Sequence, residues 1–139
     1  MDHQTEGNCT GRTLCRKLAR PPFIGLESML TDNGAAAEVK MVFTTFPDVE
    51  VARTIVRTLV EERLVACGNI IPAVESIYRW KGAIETAEEC IVIFKTSCPA
   101  AMGERLRALH PYEVAEILEI GVDGSAAYLD WVWESTRTL

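Results

Sequence analysis

No stretch of this chain stays apolar for the roughly 20 residues needed to cross a bilayer, so no transmembrane segment is expected. Its five cysteines (Cys9, Cys15, Cys67, Cys90 and Cys98) form no CxxC pair and leave one over. That argues against a disulfide framework and reads as reduced thiols in a cytoplasmic setting. Basic residues are in the minority, 14 Lys and Arg against 20 Asp and Glu, for a net charge of −6. A general nucleic-acid binder needs the opposite, a clustered basic surface. There is no glycine-rich phosphate loop, no HExxH and no GxSxG, so an enzyme is not expected. What is present is 139 residues, 48% hydrophobic and 24% charged, a composition that suits one globular domain with a single core.

Residues 1–37 read differently from the rest. They have no sustained apolar period, a Pro21-Pro22 break and a Gly-Ala run at 34–37. Arg12, Arg16, Lys17 and Arg20 hint at a transit peptide, while Asp2 and Glu6 speak against one. No apolar core of about 7 to 15 residues marks a secretory signal. The segment is expected to be a flexible extension, with Met29 and Met41 as alternative starts, and the domain to span 38–139.

From there, residues 39–46 are β-rich and short enough for a buried strand. Asp48 is placed as the N-cap of a helix over 49–65, with Ala52, Ile55, Val56, Leu59, Val60 and Leu64 on its apolar face. Residues 68–80 read as a long strand in which Pro72 marks an edge or a bulge. Lys81-Gly82 is a turn signal, and residues 83–97 return as the partner strand. Pro99 opens a second helix with Met102, Leu106 and Leu109 at helical spacing. Residues 113–122 alternate as a strand, and a short helix starts at Ser125. The order is that of an α+β ferredoxin-like βαββαβ sandwich with a long β2-β3 hairpin and an extra C-terminal helix. Ile77, Tyr78 and Trp80 on one arm and Ile91 to Phe94 on the other would leave that hairpin an open apolar ribbon. Another copy of the chain is expected to cover it.

The blocks "ACGNIIPAVESIYRWKGAIE", "KTS", "LHPYEVAEI" and "YLDWV" occur in an order and at spacings that resemble the CutA family, the divalent-cation tolerance proteins. The resemblance covers about residues 39 to 136. It implies ferredoxin-like protomers in a tight homotrimer whose long hairpins pair with neighbouring sheets, and tolerance to copper and other divalent ions. Some animal members are linked instead to acetylcholinesterase handling or anchoring, and no catalytic reaction comes with the family. Thr44 stands where some bacterial members carry a cysteine credited with copper binding, and Leu109 where a second histidine can precede His110. Ala115 replaces a proline common in bacterial members, which gives "PYEVAE" its animal character.

Three residues are candidate metal ligands: His110, Cys67 and Glu113. Imidazole suits copper, nickel and zinc, a thiolate suits Cu(I), and Glu113 lies three residues beyond the histidine. The competing readings are that His110 ends a helix, complementing its dipole, and that Cys67 is a small buried hydrophobe. In the trimer implied by the resemblance, Asn69, Tyr78, Trp80, Glu89, Lys95, Tyr112, Glu116 and Tyr128 would gather in clefts between protomers able to hold a small ligand. Against that stands packing of the aromatics in the interface, with Lys95 and the glutamates pairing along its rim. The expectation is a trimeric divalent-cation tolerance protein that binds copper or another divalent metal ion, none of it required for folding. The alternative is a trimeric signalling or scaffold protein of the PII kind that binds a small ligand between subunits. Partners are the chain itself and a small molecule or protein.

Overall fold

A computed structural model of the chain describes residues 38–137. The predicted extension, with Cys9 and Cys15, lies outside the described residues. The elements are β1 (Lys40–Phe46), α1 (Val49–Glu61), β2 (Cys67–Trp80), β3 (Ala83–Thr96), α2 (Pro99–Leu109), β4 (Leu118–Gly121) and α3 (Ala126–Ser135). The strands form one antiparallel sheet in the order β2-β3-β1-β4. Each of α1 and α2 therefore links two strands that have a third between them. No helix among the described residues is long and apolar enough to cross a membrane.

The period of two in β1 and β3 decides which side of the sheet holds the core. Val42, Thr44 and Phe46 of β1 and Cys90, Val92, Phe94 and Thr96 of β3 point to the helix-covered face and are buried. There they pack against Ala52, Ile55 and Leu59 of α1 and Ala101, Met102 and Leu106 of α2. Each large apolar side chain so buried contributes about 1.5–3 kcal/mol. Gly68 of β2 lies under this layer, where a Cβ would stand 2.8 Å from Val56 Cγ1 and 3.1 Å from the Phe94 ring.

Local signals act as expected at several places. Asp48 caps α1, its Oδ1 accepting from Val51 N–H at 2.9 Å. Pro99 opens α2. Lys81 and Gly82 both take positive φ (49° and 82°) in a two-residue hairpin loop, the twist that two tightly joined strands require. Pro72 sits on an edge strand and at a register shift between Ile71 and Val74, where Ala73 has φ 58°.

Two expectations need correction. The first helix ends at Glu61, four residues early, with Val60 left 39% exposed. Arg63 turns left-handed at φ 58°, Leu64 N–H donates to Leu59 O, and Arg63 N–H to Val60 O. This Schellman closure stops the helix while keeping Leu64 in the core. The last strand covers only Leu118–Gly121, not 113–122. Its ladder with β1 ends at the Phe43–Leu118 pair, because the chain from 111 to 117 is committed to a turn about His110. The short C-terminal helix begins where expected, with Ser125 at the N-cap position of α3 and no side-chain capping bond.

Candidate functional site

Pro111 cannot continue a helix, so α2 stops at Leu109 and His110 takes extended angles as the C-cap, its N–H donating to Leu106 O at 2.8 Å. The imidazole folds back under β1 and stacks on Phe46, with ring centroids 4.7 Å apart and planes 17° from parallel. Nδ1 accepts from Tyr112 N–H at 3.1 Å, which places the single ring proton of the neutral form on Nε2. That N–H donates to Thr45 O at 2.9 Å and is shared with Thr44 Oγ1 at 3.0 Å. Burial pushes the pKa of His110 below its usual value, against the opposing pull of the Thr45 carbonyl and the Glu89 charge. The ring is thus neutral near pH 7 and only 9% exposed.

The turn is clasped a second time by Tyr112, whose hydroxyl donates to Glu89 Oε2 at 2.7 Å. Burial first, then this bond and the Glu89 charge, and then nearby Tyr78, push the Tyr112 pKa well up. Glu113 and Glu116 stand exposed on the same loop. Thr44, at the position the resemblance gives to a metal-binding cysteine, is fully buried with its hydroxyl on the histidine.

The remaining predicted residues lie elsewhere. Cys67 is paired in register with Lys95, and Lys95 with Met41, so all three belong to the face opposite α1 and α2. His110 packs on the helix-covered face against Thr44 and Phe46. Histidine and cysteine therefore stand on opposite sides of one sheet. Cys67 is half-buried and a free thiol, 3.8 Å from Tyr128 Oη. Lys95 Nζ donates to Asn69 Oδ1. Trp80 stands out at the hairpin tip beside Lys81, whose ammonium is 5.8 Å from its ring centre. The predicted cleft set thus divides in one protomer: Glu89, Tyr112 and Tyr78 by the turn, Asn69, Lys95 and Tyr128 on the open face, Trp80 and Glu116 apart. Among the described residues no three His, Cys, Asp or Glu side chains gather as a metal site.

The sequence reading missed a hydroxyl network in the KTS block. Thr96 Oγ1 donates to Leu64 O at 2.6 Å and accepts from Cys98 N–H at 2.8 Å. Ser97 Oγ meets Thr136 Oγ1 at 2.5 Å, and Thr136 Oγ1 bonds Val132 O. These buried groups tie the end of β3 to the start of α2 and the end of α3. Two small hydroxyls at the end of a strand were the available signal.

Comparison with known proteins bears on what such a site serves. The family model for the CutA1 divalent ion tolerance protein matches residues 40–135. The divalent-cation tolerance protein CutA of Thermus thermophilus is 47% identical over 100 residues, covering 70% of this chain and 97% of that protein. The mouse protein CutA is 44% identical over 104 residues, 73% of this chain, and the match spans 59% of the mouse protein. The crystal structure of CutA from Xylella fastidiosa superposes with a TM-score of 0.69 at 40% identity, covering 71% of this chain and 98% of that one. Other relatives are described as chloroplastic, in Arabidopsis thaliana, and as periplasmic, in Archaeoglobus fulgidus.

Proposed function

This chain belongs to the CutA1 divalent ion tolerance family, and we propose that it acts as a cytoplasmic homotrimer of ferredoxin-like protomers that binds copper or another divalent metal ion in the response to such ions. The observation that carries the assembly is the bare side of the sheet. Met41, Phe43, Ile91 and Ile93 are only half-buried there, and Ile71, Leu118 and Ile120 are 43%, 54% and 49% exposed. An apolar patch spread over four strands calls for a protein partner, and the long hairpin leaves Ile77 and Ile84 exposed on its other side.

The ion in this reading is held at the His110 turn and completed between protomers. Metal ligation needs a neutral imidazole, and burial keeps His110 in that form. Its one lone pair, on Nδ1, is held by the Tyr112 N–H, so uptake requires the turn to open. Glu89 is tied to the turn through the Tyr112 hydroxyl and its charge acts on the ring, and Glu113 lies in the same turn. Cys67 faces the other side of the sheet, in register with Lys95, and stays outside this site. Such a site gives weak binding with loop rearrangement, which suits tolerance more than permanent storage.

The test is isothermal titration of the metal-free protein with copper and with zinc, with Cys9 and Cys15 replaced by serine. Uptake that weakens in Glu89→Gln and Glu113→Gln supports the site. Uptake indifferent to both moves it elsewhere, and no uptake removes the metal reading. A monomeric mass by light scattering at micromolar concentration sinks the trimer.

A further inference from the structure

One corner of the open sheet face breaks its apolar pattern. Lys95 stands between Cys67 of β2 and Met41 of β1, and Asn69 is two residues along β2 on the same side. The Lys95 ammonium donates to Asn69 Oδ1, and no carboxylate pairs with it among the described residues. Tyr128 of α3 closes the corner with its hydroxyl 3.8 Å from Cys67 Sγ. Its ring lies 5.5 Å from that of Trp131.

The hydrogen-bonding capacity of these groups is one-sided. An ammonium has three N–H donors, of which the contact to Asn69 takes one. The amide's acceptor oxygen is engaged by that contact, so its NH2 group is what it offers outward. The Tyr128 hydroxyl and the Cys67 thiol contact each other, which leaves one of their two hydrogens to offer outward. A chain of net charge −6 thus presents here a cationic corner rich in N–H donors and without a paired carboxylate among the described residues. The like charge of Lys95 turns a metal ion away. A carboxylate fits, with one oxygen on the ammonium and the other on the neighbouring amide, since charged pairs of this kind are the stronger hydrogen bonds. Tyr128 and Trp131, 43% and 46% exposed, offer ring faces for the apolar body that carries it.

We propose that Lys95, Asn69 and Tyr128 form a binding site for a carboxylate borne on a planar apolar group, separate from the His110 turn. The carboxylate is that of a small molecule, and a side chain of a second copy reaching this corner is a rival outcome of the test.

The experiment titrates the full chain with benzoate and with its neutral isostere benzamide, following heat and tryptophan fluorescence, in wild type, Lys95→Met and Asn69→Ala. Light scattering is run alongside. The expected result is that benzoate binds, benzamide does not, and Lys95→Met weakens benzoate by about tenfold or more, the weight of one charged hydrogen bond. Copper uptake stays unchanged in Lys95→Met, which separates this site from the metal reading. If benzoate does not bind but Lys95→Met dissociates the assembly, Lys95 belongs to the subunit interface and the proposal is overturned. Equal binding of benzamide, benzoate binding that survives Lys95→Met, or no binding with an unmoved oligomeric state overturns the proposal.

Discussion

Replacing His110 by alanine separates a histidine that holds the fold from one kept only for a ligand. The ring is 9% exposed and carries three kinds of contact. Its Nε2–H satisfies Thr45 O, its Nδ1 satisfies Tyr112 N–H, and its face stacks on Phe46. A buried polar group stripped of its partner costs about 1–3 kcal/mol. The Tyr112 N–H lies near the exposed loop, where water can replace the imidazole, so the full penalty falls mainly on the Thr45 carbonyl. Loss of the ring stack adds about 0.5–1.5 kcal/mol. The sum is about 3 kcal/mol, which at the usual urea dependence lowers the midpoint by roughly 1 to 3 M. The assay is equilibrium urea unfolding at pH 7.5 with chelator present and protomer concentration fixed, since assembly contributes to apparent stability. His110→Gln, which keeps an N–H donor, should recover part of the loss. An alanine variant within about 0.5 kcal/mol of wild type, the range of ordinary surface substitutions, would refute the structural role argued for this ring.

Three further outcomes follow from the same contacts. Because the folded-state pKa of His110 lies below the ordinary 6.5, its stabilisation is fully present above that pH and is lost as pH falls through the folded value. Urea unfolding between pH 7.5 and 5 should therefore show a steeper loss in wild type than in His110→Gln, and equal slopes would count against the neutral ring. Gly68→Val should destabilise by about 1–3 kcal/mol through overpacking, with Val56→Ala recovering part, because the clash is with Val56 Cγ1 at 2.8 Å; additive losses in the double variant would contradict this. Arg63→Gly should stabilise by about 0.5 kcal/mol. It removes a left-handed strain of about 1–2 kcal/mol but also the Arg63 Nη1 bond to Arg137 O at 3.2 Å, and a lower thermal midpoint would show that the bond outweighs the strain.

Much of the architecture is carried by interactions within a few residues, and these were readable in order along the chain. Asp48 reaches Val51, Lys81-Gly82 fits only a tight hairpin loop, and Pro99 fits a first helical position. Pro72 announces a bulge for the same reason, since its missing N–H is a local fact. The family is equally legible, because its blocks are written in linear order. The site is not. His110 bonds to Thr44 across 66 positions of sequence, and no periodicity records which ring nitrogen meets which carbonyl. The same distance hides the short last strand, which the turn around His110 cuts back to Leu118–Gly121. It also hides the division of the cleft residues, because strand pairing sends Cys67 and Lys95 to one side of the sheet and His110 to the other. Sequence alone thus determined the elements, their order and the family, whose signals are local or linear. Tertiary structure decided what each polar side chain touches, because hydrogen bonds and burial are set by chain segments that meet only after folding.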